Sequence, residues 1–171
     1  MLRHELALFF GALRFFTRLP VPAWVGHSSE ALNHAARYFP AVGLIVGTLA
    51  ALVYTLTSLF WPHPLAVLAA MSSAIYVTGG FHEDGWSDMV DGFGGGWEKT
   101  QTLTIMKDSR IGSFGALALV LLLLARFSAL LELAPALLPL AFVAGHALSR
   151  FASTTLLRGL DYVRDEGKAK P

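Results

Sequence analysis

The sequence contains no cysteine and little charge, and each shortage excludes a class of site or fold. Without cysteine the chain can form no disulfide and offers no thiolate, and with only 6 histidines a zinc centre is disfavoured. Charged residues make up 15% of the chain and hydrophobic residues 54%, whereas soluble domains usually carry about a quarter charged residues. The formal net charge of +1 gives no electrostatic reason to expect nucleic acid as a partner.

Two long stretches of the chain are almost free of charge. No Asp, Glu, Lys or Arg occurs between Arg37 and Glu83. The second stretch, from Ile111 to Leu157, contains three charged residues, which are Arg126, Glu132 and Arg150. Because a helix needs roughly 20 apolar residues to cross a bilayer, each stretch has room for two crossings. Buried helices of a soluble protein would carry one charged face, which is missing here. The sequence therefore predicts an all-α, polytopic membrane bundle with four transmembrane helices.

Proline-rich breaks divide these stretches into separate crossings. The predicted crossings run from about Phe39 to Phe60, Leu65 to Thr78, Ser113 to Leu133 and Leu137 to Leu157. The second is short, and we expect its helix to continue through Phe81 and His82. The segment from Leu2 to Leu19 has apolar residues at helical spacing but is interrupted by charges, which predicts an N-terminal interfacial amphipathic helix.

Basic residues flank the predicted crossings on one side only. They precede the first crossing, occupy the central loop and follow the fourth crossing: Arg3, Arg14, Arg18 and Arg37; Lys99, Lys107 and Arg110; Arg158, Arg164, Lys168 and Lys170. The positive-inside rule therefore predicts a multi-pass protein of the cytoplasmic (inner) membrane, with both termini and the central loop in the cytoplasm. The lipid bilayer is thus an expected partner, and a homo-oligomer is compatible with the sequence.

The central loop carries a dense acidic cluster beside His82 and Glu83. Asp84, Asp88 and Asp91 are spaced i, i+4, i+7, which would place them on one face of a helix. Carboxylates so close repel each other unless a cation lies among them, and oxygen ligands suit Mg²⁺, with Mn²⁺ as the alternative. We predict that the three aspartates are catalytic residues and metal ligands, with Glu83 as a further ligand. His82 is a candidate catalytic base, a ligand or an interfacial histidine, and a solvated acidic face is the alternative for the whole cluster.

A second cluster of polar residues and glycines precedes the third crossing. Lys107 and Arg110 are cations beside a helix N-terminus, which itself attracts anions. Gly112 and Gly115 would let the backbone approach a ligand or a neighbouring helix. We predict that these residues and Asp108 bind a substrate pyrophosphate. Positive-inside anchoring of the third crossing is the alternative explanation of the two cations.

Two arginines lie inside predicted crossings, where charges usually face the interior of the bundle. Arg150 belongs to the cytoplasmic half of the fourth crossing, and we expect it to reach the acidic loop as a substrate-binding residue. Arg126 is near the middle of the third crossing, where it serves helix packing or lines a substrate cavity.

The two clusters together resemble the signatures of the cobalamin synthase family (adenosylcobinamide-GDP ribazoletransferases). The family pattern His-x-Asp-Gly-x-x-Asp-x-x-Asp-Gly is filled by His82, Asp84, Gly85, Asp88, Asp91 and Gly92. The pattern Met-Lys-Asp-Ser-Arg-x-Gly-x-Phe-Gly is filled by Met106 to Arg110, Gly112, Phe114 and Gly115. Arg150 and the tail residues Tyr162 and Arg164 also match.

This resemblance implies a substrate pair and a reaction. The hydroxyl of α-ribazole, or of its 5′-phosphate, would attack the cobinamide-bearing phosphate of adenosylcobinamide-GDP, giving adenosylcobalamin or its phosphate and releasing GMP. It also implies further transmembrane helices after this point of the chain, so we expect residues 1–171 to form a single membrane-embedded catalytic domain without them. Two other functions remain open: a CDP-alcohol-type phosphotransferase acting on a lipid alcohol, and a divalent-cation transporter.

Overall fold

The computed structural model describes residues 1–26 and 29–160, and all regular secondary structure in these residues is helical. The α-helices are α1 (Leu2–Phe16), α2 (Ser29–Ala35), α3 (Phe39–Thr57), α4 (His63–Thr78), α5 (Phe81–Gly95), α6 (Lys99–Ile105), α7 (Ser113–Leu131) and α8 (Leu138–Gly159). They form two compact units, one of Met1–Gly79 with the segment from Pro135 onward, and one of Gly80–Ala134. Tyr162 and Arg164 lie outside the described residues.

The first unit is built on close packing of α3 against α8, with α4 on another side of α3. Gly43 and Gly47 make this approach possible. A Cβ atom added to Gly47 would lie 2.6 Å from Val143 Cα, and one added to Gly43 would lie 2.7 Å from Ala147 Cα. Small and β-branched residues complete the fully buried core of α3 and α4: Val42, Val46, Ala50, Ala66, Val67 and Ala70.

Helix α1 packs its apolar side against the start of α3. The Phe16 ring is buried and meets the Phe39 ring edge-on, with 4.6 Å between the centroids. On the polar side, Arg37 Nη2 lies 2.7 Å from Glu5 Oε2. The predicted amphipathic helix is therefore confirmed as a helix, three residues shorter than predicted, and its place at a membrane interface stays a prediction.

The junction of α4 and α5 differs from our expectation of a continuous helix. Helix α4 ends at Thr78, and Gly79 and Gly80 follow with φ angles of 67° and 72°. These angles lie in the left-handed region, which glycine adopts at little cost and which ends an α-helix. The prediction of one continuous helix through Phe81 and His82 was therefore wrong, because these two residues begin α5 instead.

Within residues 1–26 and 29–160, three helical segments are long and apolar enough to cross a membrane: Ala31–Thr57, Ser113–Leu131 and Pro135–Gly159. Helix α4 has 16 residues and reaches that length only if α4 and α5 count as one broken span. Three of the four predicted crossings thus correspond to helices of sufficient length. The sequence did not predict the short helices α2 and α6.

Candidate active site on helices α5 and α7

Helices α5 and α7 pack side by side in the second unit and run antiparallel. Near the start of α7, Asp91 contacts Gly112 and Gly115. One turn further along α7, Trp86 Nε1 donates a hydrogen bond to Ala118 O at 3.3 Å. At the far end, Arg126 reaches Glu83. Residue numbers fall along α5 as they rise along α7, so the acidic segment lies along the apolar α7 rather than in an irregular loop.

Both carboxylate oxygens of Asp91 accept hydrogen bonds from the beginning of α7. The amide of Gly112 donates to Oδ2 and the amide of Gly115 donates to Oδ1, each at 2.8 Å. Asp91 is only 8% exposed. The first amides of a helix lack partners within the helix and carry partial positive charge, so a carboxylate there is stabilising. Asp91 therefore acts as the N-terminal cap of α7, supplied by another helix.

The two glycines at the start of α7 are required by this contact. A Cβ atom on Gly112 or on Gly115 would collide with the Asp91 carboxylate, and one on Gly115 would also collide with Ser87 Oγ. The sequence left open whether these glycines admit a ligand or a neighbouring helix, and the described contact is with helix α5. Binding of substrate by Gly112 and Gly115 stays a prediction.

The acids of α5 differ in how directly they face α7. Ser87 is buried, and Asp91 and Glu83 lie about 40° to either side of it, at 100° per residue. Asp84 and Asp88 lie about 60° and 100° away from Ser87, towards the flank of α5. Asp84 is exposed and Asp88 is partly exposed.

Among the described residues, no three His, Asp or Glu side chains are arranged so that they could hold a metal ion together. Of the predicted ligands, Asp91 and Glu83 contact α7, whereas Asp84 and Asp88 are on the flank one turn apart. Metal binding by any of them stays a prediction.

Glu83 forms an ion pair with Arg126, with 3.2 Å between Oε1 and Nη1. The glutamate side chain is 12% exposed and that of the arginine 34%. Within the described part of the chain, Glu83 Oε2 is buried without a hydrogen-bond partner. Sequence reasoning treated these two residues separately, although an arginine within an apolar helix usually has an acidic partner, and that rule could have found the pair.

His82 lies on a different side of α5 from the aspartates. Helical geometry separates it from Asp84 by about 160° around the axis. The side chain is exposed, and its ring lies edge-on to Phe81 with 5.4 Å between the centroids. The described geometry therefore does not bring His82 and Asp84 together, and a catalytic role for His82 stays a prediction.

The loop between α6 and α7 presents the predicted cations. Arg110 forms a bidentate pair with Asp108, with Nη2 2.6 Å from Oδ2 and Nε 3.0 Å from Oδ1. This guanidinium lowers the pKa of the Asp108 carboxyl to about 2. Arg110 remains 86% exposed, and Lys107 is exposed and makes no ion pair within the described residues. Both cations are accessible to an anionic ligand.

Arg150 lies on α8 in the first unit, where its side chain contacts residues of α8 and α1. The side chain is 1% exposed, its Nη1 donates to His146 O at 3.1 Å, and the guanidinium lies 5.5 Å from the centroid of the Phe16 ring. It thus packs between α8 and α1. Its expected reach to the acidic segment stays a prediction.

Comparison with known proteins places these motifs in a family. A family model described as cobalamin-5-phosphate synthase matches residues 8–171. The chain belongs to the cobalamin-5-phosphate synthase family. Relatives named adenosylcobinamide-GDP ribazoletransferase from Shewanella woodyi and Shewanella frigidimarina are 50% and 51% identical over 99% and 98% of this chain. The chain spans about two thirds of these relatives, 67% and 66% of their lengths. No solved structure matches it.

In this member of the cobalamin-5-phosphate synthase family, the two sequence motifs form one packed unit. The first motif occupies α5. The second comprises the loop from Lys107 to Ile111, called the cationic loop below, and the start of α7. Asp91, near the end of the first motif, bonds to Gly112 and Gly115 of the second. These contacts account for Asp91, Gly112 and Gly115 in the two motifs.

Proposed function

We propose that the chain is a membrane-embedded phosphotransferase that joins adenosylcobinamide-GDP to α-ribazole, or to its 5′-phosphate, and releases GMP. Membership of the cobalamin-5-phosphate synthase family and the names of its relatives support this proposal. The structural observation that carries it is the packing of the acidic helix α5 against the segment that bears Lys107 and Arg110. Acids and exposed cations in one unit suit the transfer of a phosphoryl group.

Asp84 and Asp88 are the residues that would hold a magnesium ion. Mg²⁺ is usually bound by one or two protein carboxylates, with water and substrate phosphates as its other ligands. Two exposed or partly exposed carboxylates on successive turns of α5 match that donor set without Asp91 or Glu83. A bound Mg²⁺, or Mn²⁺ in its place, would offset the negative charge of the pyrophosphate during transfer.

Side chains of the protein carry out proton transfer and stabilise the leaving group. The attacking hydroxyl oxygen forms a bond to the cobinamide-bearing phosphorus, and the bond from that phosphorus to the bridging oxygen of GMP breaks. A carboxylate of the Asp84 and Asp88 pair accepts the hydroxyl proton. Lys107 and Arg110 stabilise the negative charge on the departing phosphate through charge-assisted hydrogen bonds.

We propose four crossings, with both termini and the cationic loop on the cytoplasmic side of the inner membrane. Helices α4 and α5 together form the second of these crossings. In this arrangement the start of α7 lies at the cytoplasmic edge, and Asp84 lies about 10 Å along α5 from Asp91 at a rise of about 1.5 Å per residue. The carboxylate pair then lies below the membrane surface, on the flank of α5.

Membranes containing the protein test this proposal when supplied with adenosylcobinamide-GDP, α-ribazole and Mg²⁺. We expect release of GMP that stops with a chelator and with Asp84→Asn or Asp88→Asn. Glu98→Gln is the matched control, because Glu98 is an exposed acid of the same unit outside α5. Turnover of a CDP-alcohol with a lipid alcohol, in place of GMP release, would establish the alternative phosphotransferase instead. Metal flux without nucleotide turnover would indicate a transporter.

A further inference from the structure

The last two residues of the first motif, Asp91 and Gly92, contact both ends of the cationic loop. At its end, Gly112 donates its amide hydrogen to Asp91 Oδ2 at 2.8 Å. At its beginning, Met106 packs on Gly92, where an added Cβ atom would lie 2.6 Å from Met106 Cγ. Both ends of the loop from Lys107 to Ile111 are therefore held against one turn of α5.

The Asp91 carboxylate is already occupied by backbone amides. Each of its oxygens accepts one short hydrogen bond, and the residue is 8% exposed. On the flank of α5, Asp84 is exposed and Asp88 is partly exposed. A carboxylate that both caps a helix and is buried is poorly placed to take up a metal ion as well.

We propose that Asp91 is a positioning residue, which holds the start of α7 on α5 and so sets where Lys107 and Arg110 stand relative to Asp84 and Asp88. Gly92 does the same for the other end of the loop by admitting Met106. This inference rests on the proposed function for its consequence in turnover. The three aspartates of the motif then have two different roles. Asp91 positions the cationic loop, whereas Asp84 and Asp88 take part in the chemistry.

The chemistry of the cap explains why a carboxylate is needed at position 91. Two amide hydrogens approach two separate oxygens. Asparagine offers one oxygen, and its NH₂ group would face an amide hydrogen. Asp91→Asn should therefore break one of the two hydrogen bonds to the start of α7. Glutamate is longer, and Gly112 and Gly115 leave no space for a displaced carboxylate.

A reversible disulfide between α5 and α7 can distinguish a positioning role of Asp91 from a role as a metal ligand. A Cβ atom added to Gly94 lies 3.2 Å from Phe114 Cβ, close to the spacing of about 3.5–4.5 Å found in disulfides. The double variant Gly94→Cys with Phe114→Cys therefore reports the packing of the two helices by its rate of disulfide formation. Native cysteines do not interfere, because the chain has none. Mn²⁺ binding to the purified full chain, followed by the paramagnetic resonance of free Mn²⁺, is the second measurement.

In this background we expect Asp91→Asn to slow disulfide formation about tenfold and to weaken Mn²⁺ binding. Once the disulfide has formed, the Mn²⁺ affinity of Asp91→Asn should return to within about twofold of the oxidised parent, since a cross-link restores position but cannot replace a ligand. Asp84→Asn is the control, and it should form the disulfide at the parent rate. Should Asp91→Asn form the disulfide at the parent rate, or remain deficient in Mn²⁺ binding after oxidation, the positioning role would be overturned.

The same experiment distinguishes this inference from the proposed function. If neither Asp84→Asn nor Asp88→Asn weakens Mn²⁺ binding, the metal site of the proposed function fails. The disulfide rate of Asp91→Asn still decides whether Asp91 holds α7 on α5. If Asp91→Asn unfolds on extraction, Asp91→Asn protein oxidised in the membrane before extraction provides the Mn²⁺ measurement.

Discussion

Glu83 on α5 and Arg126 on α7 form an ion pair in which Oε1 and Nη1 lie 3.2 Å apart. It joins the two helices about 12 Å along α5 from Asp91, at a rise of about 1.5 Å per residue. The pair therefore fixes the end of the α5–α7 contact that is remote from the cap. Neither residue needs to touch substrate for this purpose.

Breaking the Glu83–Arg126 pair from one side should destabilise the protein. We expect Glu83→Gln to cost about 1–2 kcal/mol of unfolding free energy, less than the 3–5 kcal/mol of a fully buried pair. The smaller value follows because the Arg126 side chain is 34% exposed and partly solvated. Thermal unfolding of the detergent-solubilised chain measures the effect.

The double variant Glu83→Gln with Arg126→Met is the control for this pair. Removing both charges leaves no isolated buried charge, so the double variant should be more stable than Arg126→Met alone. Additive losses would mean that the two side chains do not interact.

Arg110 should contribute through the shape of its guanidinium as well as through its charge. If it binds the departing phosphate, Arg110→Lys should lower kcat/KM for the nucleotide substrate about ten- to a hundredfold, because an ammonium group cannot replace a planar fork. Steady-state kinetics with adenosylcobinamide-GDP varied is the measurement. A fully active Arg110→Lys would leave Arg110 as an anchor of α7 under the positive-inside rule.

The pairing of Asp108 with Arg110 should persist throughout the usual range of assay pH. The Asp108 pKa is lowered to about 2 by the Arg110 guanidinium. For a lowered carboxyl pKa, the stabilisation is fully present above the ordinary value near 4 and is lost as the pH falls through about 2. We therefore expect no inflection from this pair in a pH–rate profile between pH 5 and 8. An inflection there that disappears in Asp108→Asn would contradict the assignment.

Two glycines of α3 should be intolerant of even a methyl group. In Gly47→Ala the new Cβ atom would lie 2.6 Å from Val143 Cα of α8, and backbone cannot move aside cheaply. We expect a loss of about 1–3 kcal/mol in unfolding free energy. Gly145→Ala is the control, because the space around Gly145 is open and alanine favours a helix by up to about 1 kcal/mol. Equal stability of the two variants would show that α3 and α8 do not pack as described.

The long helices could be predicted from the sequence because apolar length and proline breaks determine them locally. The predicted starts at Phe39 and Ser113 agree with those of α3 and α7. The aspartate spacing also indicated a helix, and α5 runs through all three residues. The roles of the acids could not be predicted in the same way. Spacing places Asp91 with Asp84 and Asp88, but only the packing of a helix 21 residues further along the chain reveals that Asp91 is a cap.

The pairing of Glu83 with Arg126 was hidden for a similar reason. The two residues are separated by 43 positions, and their contact depends on the antiparallel register of α5 and α7. The break at Gly79 and Gly80 was visible as a glycine pair, yet the sequence did not reveal that both residues adopt positive φ. Contacts of long sequence separation thus account for most of what the sequence left undetermined.

The direction of insertion can be tested with single cysteines at positions 60 and 98. Phe60 follows α3 and is 83% exposed, and Glu98 precedes α6 and is also exposed. The hairpins after α3 and α7 have no Lys or Arg, whereas the loop around Glu98 has Lys99, Lys107 and Arg110. Under the positive-inside rule, a membrane-impermeant thiol reagent should label position 60 in intact cells, and position 98 only after the membrane is opened. Labelling of position 98 in intact cells would place the cationic loop outside, away from cytosolic nucleotides, and would refute the proposed orientation together with the site that depends on it.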